Sequence, residues 1–348
     1  MGALNPSMKG GLLALSAALL FGLSTPLVQR FGQDVGPFTT AALLYAGAAL
    51  VAWWSRQPAS REAQLQRGDA QRLLAMALMG AVVGPVALAW GLQRTSGSSA
   101  SLMLTLEAVF TALLAWRWYG EVMDRRVTAA MLLLLLGGLV LIADQWAVGQ
   151  VQLWGLLAVM LATAAWGLDN TLSRAVAERD PGQVILAKSV LGVLATGLLA
   201  WFKQEPWPTS TPFLALLAIG GSGYGLSLRF YLLAQRTFGA GRTGSVFAFA
   251  PFMGAVGAFA LGERALSLGL MFGAVFMMLG VILHLWERHE HEHQHEALAH
   301  EHAHRHDDGH HNHSHEVMPD GAHSHWHVHE AMSHAHAHTP DIHHLHKH

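Results

Sequence analysis

The chain has 348 residues, of which 52% are hydrophobic and only 13% charged, with a mean hydropathy of +0.31; a soluble domain carries roughly 25% charged residues. Cysteine is absent, which excludes disulfides and thiolate metal sites and leaves histidine, carboxylate, backbone and water as metal ligands. Residues 1–288 hold 19 Lys/Arg and 13 Asp/Glu, residues 289–348 hold 2 and 10, and 23 of the 24 histidines fall between His289 and His348, so a mildly basic apolar body precedes an acidic, histidine-rich tail.

A membrane-crossing helix needs about 20 mainly apolar residues. Ten segments meet that condition, near 11–29, 37–54, 72–92, 97–117, 127–144, 152–173, 183–202, 212–234, 241–261 and 266–286. The first has only Lys9 before it and no small-residue cleavage site before Arg30, so it reads as a helix and not as a signal peptide. The expected fold is an all-α polytopic membrane protein of ten transmembrane helices, followed by a disordered tail.

Lys/Arg placement sets orientation. With the N-terminus (1–10) in the cytoplasm, 13 Lys/Arg lie on the inner side, and only Arg30, Arg94, Lys203 and Arg264 lie outside. An even number of spans then returns the C-terminal tail to the cytoplasm. The expected location is a bacterial inner membrane.

The body repeats itself. At an offset of 142, Gln93-Arg94-Thr95 falls on Gln235-Arg236-Thr237, Gly120-Glu121 on Gly262-Glu263, and Gly138 on Gly280. At a slightly different offset Phe21-Gly22-Leu23 matches Trp166-Gly167-Leu168. The halves are 11–144 and 152–287. Five helices per half is an odd number, so the second half must enter the membrane with opposite polarity, an architecture that puts substrate at the interface between halves.

The stretch LEAVFTALLAWRWYGE (106–121) resembles the fourth-helix signature of EamA-type permeases of the drug/metabolite transporter (DMT) superfamily. FAFAPFMGAVGAFALGE (247–263) resembles its partner in the ninth helix, and WGLDN (166–170) resembles the start of a second EamA repeat. The first copy has Ala108 where proline is common; the second has Pro251 with no glutamate before it. The resemblance implies secondary active transport of a small metabolite or drug-like solute, often export, by alternating access without ATP. It implies no enzyme activity.

Ionisable groups inside membrane helices are costly, at about 2.5–3.5 kcal/mol each on insertion scales. Glu107, Asp169, Lys188 and Arg229 are such groups. Asp169 lies about five residues before the end of the sixth helix and Lys188 about five after the start of the seventh, so at 1.5 Å per residue the two share one depth and are expected to pair. Such a pair is either a switch that opens during transport or a static lock on the hairpin. Glu107, midway along the fourth helix, is either a proton-coupling carboxyl or a packing hydrogen-bonder. Arg229 either snorkels to the interface or anchors a substrate carboxylate. Gly80-x-x-x-Gly84 and Gly221-x-x-x-Gly225 mark close helix approaches. Ser24, Asn170, Trp166 and Tyr224 are candidate cavity-lining groups on the strength of the resemblance.

In the tail, His289, His291, His293 and His295 alternate, as do His300, His302, His304 and His306, and His323, His325, His327 and His329. Imidazole suits Zn²⁺, Ni²⁺, Co²⁺ and Cu²⁺, so the tail is expected to bind a divalent transition metal; no other cofactor is expected. Matches to H-E-x-x-H, such as His300-Glu301-His302-Ala303-His304, follow from composition, since the zinc-protease motif needs a rigid helix. The expected partners are the lipid bilayer, a small-molecule substrate and transition-metal ions, with a homodimer also in view and no nucleic acid. Two rival functions remain: an exporter of Ni²⁺, Co²⁺ or Zn²⁺, and a membrane-anchored metal buffer or sensor that moves nothing.

Overall fold

The structure is a computed structural model that describes residues 6–56, 63–120, 123, 125–173, 176, 179–238, 240–264, 266–285, 290–295, 298–304, 323–329 and 332–337, the last four segments by main-chain path alone. Up to residue 285 the secondary structure is helical. The first half holds α1 (Pro6–Gly32), α2 (Pro37–Ser55), α3 (Ala70–Met76), α4 (Gly84–Leu92), α5 (Gly97–Met103), α6 (Leu106–Tyr119) and α7 (Arg125–Val148). The second holds α8 (Gln150–Ser173), α9 (Pro181–Phe202), α10 (Ser210–Ile219), α11 (Ser227–Phe238), α12 (Ala240–Phe247), α13 (Ala250–Ala260) and α14 (Leu268–Leu285).

Among the described residues, eight helical spans, from Met8–Gly32 to Ser210–Ala234, are long and apolar enough to cross a membrane; Ala250–Ala260 and Leu268–His284 are shorter apolar helices. The expected ninth span is divided. Its turn at Ala248 and Phe249 separates α12 from α13, and Pro251 has no N–H to carry the helical ladder back to Phe247. The fourth span divides at the matching place, between α5 and α6, with no proline. There Thr105 N bonds Leu102 O at 3.0 Å and Glu107 N bonds Leu104 O at 3.1 Å, three residues back instead of four. The Thr105 hydroxyl also donates to Leu102 O at 2.8 Å.

Two further spans carry wide turns. A π-helical segment, Ala77–Val83, joins α3 to α4, and another, Gly220–Leu226, joins α10 to α11. The repeat thus survives in the irregularities: one π segment and one divided helix in each half.

Helices pack across the halves. α2 lies on α9, α7 on α14, α1 on α11 and α13, and α8 on α4 and α6. Lipid tails are as apolar as leucine, so close backbone approach must supply much of the packing energy. Gly47 of α2 shows this: a Cβ there would come within 2.6 Å of Gly221 N. The outer surface carries Leu50, Leu132, Leu139, Leu194 and Phe272, each more than half exposed, and Trp53, Trp54, Trp146, Trp201 and Trp207 near helix ends. Leucines facing outward with tryptophans at the ends suit a bilayer and its interfaces. The protein is a multi-pass membrane protein.

Of the tail, expected to be disordered, the described residues lie on four strands. β1 (Glu290–His295) pairs antiparallel with β4 (Met332–Ala337), and β2 (Leu298–His304) with β3 (His323–His329). Alternation with a period of two is the pattern a strand accommodates.

Candidate transport site

The first π segment presents Gly80 to the second half. Gly80 O accepts two side-chain donors, the Tyr45 hydroxyl of α2 and Trp166 Nε1 of α8, the latter at 3.0 Å. Both charges of the expected pair close over the same glycine. Lys188 Nζ of α9 contacts Asp169 Oδ2 of α8, and a Cβ on Gly80 would stand 2.7 Å from Lys188 Nζ and collide with the Asp169 carboxylate. Asp169 is 4% exposed and Lys188 8%. At that burial each charge needs the other, because an isolated ion costs several kcal/mol or more to desolvate. The second carboxylate oxygen, Asp169 Oδ1, has no hydrogen-bond partner among the described residues.

The second π segment repeats the geometry without the charge. A Cβ on Gly223 would stand 2.6 Å from Ser24 Cβ on α1, so Ser24 meets Gly223 as Asp169 meets Gly80. The Ser24 hydroxyl donates to Phe21 O at 2.6 Å. Next to Gly223, Tyr224 joins an aromatic cluster. Its ring centroid lies 5.8 Å from Tyr45, 6.1 Å from Phe21 and 6.2 Å from Trp166. Phe21 in turn lies 6.1 Å from Trp166 and 5.4 Å from Phe247. Both halves therefore contribute rings to one buried patch, bordered by an ion pair and a doubly used carbonyl.

Glu107 begins α6 just after the break in the fourth span, and Asn170 Nδ2 donates to its Oε1 at 2.6 Å. Asn170 is exposed and directly follows Asp169, so Glu107 and Lys188 meet α8 at adjoining residues. In the second half Pro251 of α13 stands in the place of Ala108, and Ala250 stands where Glu107 does, with no acid. Arg229 is engaged elsewhere, its Nη1 donating to Ser55 O at the end of α2 at 2.6 Å; that carbonyl is one of those a helix C-terminus leaves unsatisfied.

Of the sequence-predicted residues, the structure brings Asp169, Lys188 and Trp166 together at Gly80, joins Glu107 to Asn170, and sets Ser24 and Tyr224 at the second π segment. Tyr45, Phe21 and the Gly80 carbonyl were missed. Tyr45, a lone phenol within an apolar run, was the available signal.

Among the described residues no group of three or more His, Asp or Glu converges as a metal site. His289 and His306 lie outside the described residues. The other ten predicted tail ligands lie on strands, with His300, His302 and His304 of β2 in register with His327, His325 and His323 of β3, and His291 and His293 of β1 with His336 and His334 of β4. His329 is in register with Leu298, and His295 with Met332.

A curated relative, an "Uncharacterized transporter" of Methanothermobacter thermautotrophicus, is 26% identical over 307 residues, covering 82% of this chain and 88% of its own. A solved structure titled "Crystal structure of protein" superposes with a TM-score of 0.55 at 20% identity, covering 79% of this chain and 94% of that one, a likeness of fold. The model of the EamA-like transporter family matches twice, over residues 8–143 and 153–286. Both π segments and both divided helices fall inside those two matches, one of each per copy, and the chain belongs to the EamA-like transporter family.

Proposed function

We propose that this protein is a secondary active transporter that moves a small metabolite or drug-like solute, in the export direction, by alternating access between two inverted five-helix halves. α12 and α13 together form the ninth span and α14 the tenth. The protein lies in a bacterial inner membrane with both ends cytoplasmic, and the tail binds divalent transition metal. The buried Asp169–Lys188 pair at Gly80 carries the reading. It joins two helices of one half against an irregular backbone segment of the other, and charge at that depth is retained for function by default.

Asp169, Lys188 and Glu107 are the ionic elements, and Phe21, Tyr45, Trp166 and Tyr224 the apolar walls. When the halves part, the ion pair meets solvent or substrate, and each charge exchanges its partner for a group on the solute. Asn170, Ser24 and Arg229 are secondary polar groups. The test is uptake or counterflow in proteoliposomes with a panel of amphipathic metabolites, with Asp169→Ala and Lys188→Ala as controls. Equal flux from wild type and both variants, at matched protein levels, removes the basis of the proposal.

The cross-strand register of β2 with β3 supports metal binding by the tail. Deleting residues 289–348 separates the alternatives: a metabolite exporter keeps its flux, a metal exporter loses apparent affinity, and a buffer or sensor loses all function.

A further inference from the structure

Two carboxylates outside the central cluster tie the halves together at one end of the bundle. Glu205, in the connection after α9, accepts from Phe38 N at 3.2 Å and from Thr39 N and the Thr39 hydroxyl, each at 2.7 Å, at the start of α2. Glu263, just after α13, accepts from Gly97 N at 2.9 Å, from Ser98 N at 3.3 Å and from the Ser98 hydroxyl at the start of α5. Each acid belongs to the second half and each set of donors to the first. Glu263 also lines a pocket of about 180 Å³ with Gln29, Arg30, Gln33 and Ala258. This pocket opens at the same end, next to the C-terminus of α1.

The opposite end is fastened with different chemistry. There the connection after α2 meets the start of α9: Asp180 N donates to Ala63 O at 2.7 Å, Leu65 N to the Gln183 side chain at 3.1 Å, and Arg179 pairs with Asp69 at 3.1 Å. Among the described residues, the contacts that join these two segments include an ion pair and neutral amides. The Glu205–Glu263 end includes two carboxylates that each take several donors from the other half, together with Asp144 of α7, which accepts from the Ser267 hydroxyl just before α14 at 2.7 Å. A carboxylate that loses such donors must regain solvent or new donors, so these contacts bias the mouth toward closure.

We infer that Glu205 and Glu263 are positioning residues that latch shut this end of the bundle, Glu263 at the pocket lined by Gln29, Arg30 and Ala258. The inference rests on the transport reading above. In the proposed orientation this is the outer mouth, and releasing both acids is a required step of outward opening.

The absence of cysteine makes the test free of background. Ala258, 3% exposed on the pocket wall, becomes the reporter as Ala258→Cys in the full chain, labelled in intact cells with a membrane-impermeant thiol reagent. Glu205→Ala and Glu263→Ala are each expected to raise the labelling rate about tenfold, the scale of one lost hydrogen bond to a charged group. Glu263→Gln, which keeps one acceptor oxygen and the side-chain shape, is expected to fall between wild type and Glu263→Ala. If the alanine variants fail to accumulate, the glutamine variants at both positions carry the test. Unchanged labelling in the double glutamine variant, at wild-type membrane levels, overturns the latch. Faster labelling seen only in inverted vesicles supports the latch and overturns the orientation. Because the readout needs no cargo, it stands apart from failure of the transport assay.

Discussion

Lys188 of α9 meets Asp169 of α8 directly above Gly80 of the other half, at a spot where no side chain larger than hydrogen fits. The charge pair is therefore placed by three helices at once. Two supply the ions. The third supplies a carbonyl that is already held by Tyr45 and Trp166.

Removing either ion is expected to abolish transport. Asp169→Ala strands a buried ammonium and Lys188→Ala a buried carboxylate, each costing about 3–5 kcal/mol. The double replacement Asp169→Leu with Lys188→Met removes both charges, so it is expected to recover most of the thermal stability lost by the single variants while remaining inactive. Thermal unfolding in detergent, read beside flux, separates the two effects; a double variant that transports at the wild-type rate contradicts a role in the cycle.

Gly80→Ala is expected to lower the midpoint of thermal unfolding by several degrees, since its Cβ meets the ion pair in a close-packed interior that cannot absorb it. Gly197→Ala in α9 is the matched control. Nothing lies within 4 Å of its Cβ, so the helical preference for alanine, about 0.5–1 kcal/mol, is expected to leave stability unchanged or raised.

Glu107→Gln keeps an oxygen for the Asn170 donor but cannot exchange a proton. If Glu107 couples protons to the solute, the variant is expected to lose gradient-driven flux at least tenfold while retaining solute exchange at equilibrium. Parallel losses in both assays would instead make Glu107 a packing residue.

Tail histidines in cross-strand register are expected to bind metal as a set. Replacing His300, His302 and His304 by alanine is expected to reduce Zn²⁺ or Ni²⁺ bound per chain in equilibrium dialysis, and replacing His323, His325 and His327 as well to add little. Two strictly additive losses would indicate that the strands bind independently.

Much of the architecture is legible in the sequence. Apolar runs of membrane-spanning length, the offset of 142 and the paired signatures established a membrane body in two related copies. Helical geometry alone brought Asp169 and Lys188 to one depth, because a short hairpin leaves little freedom. Gly120-Glu121 and Gly262-Glu263 were read only as markers of the repeat. Glu263 proved to accept from backbone donors at Gly97 and Ser98, more than 160 residues earlier in the chain, a distance no local pattern spans; Glu121 lies outside the described residues.

Hydropathy and spacing depend on neighbours within a turn or two of helix, so the sequence by itself determined an apolar, multi-pass membrane body and its duplication, while the number of helices of full spanning length was left to the structure. Which backbone atoms became free to bind side chains was decided only in three dimensions. A wide turn at Ala77–Val83, or a divided helix at Thr105, leaves almost no mark on composition. At the first, Tyr45 and Trp166 donate to Gly80 O, and at the second the Thr105 hydroxyl donates to Leu102 O, so side chains satisfy what the irregular backbone releases.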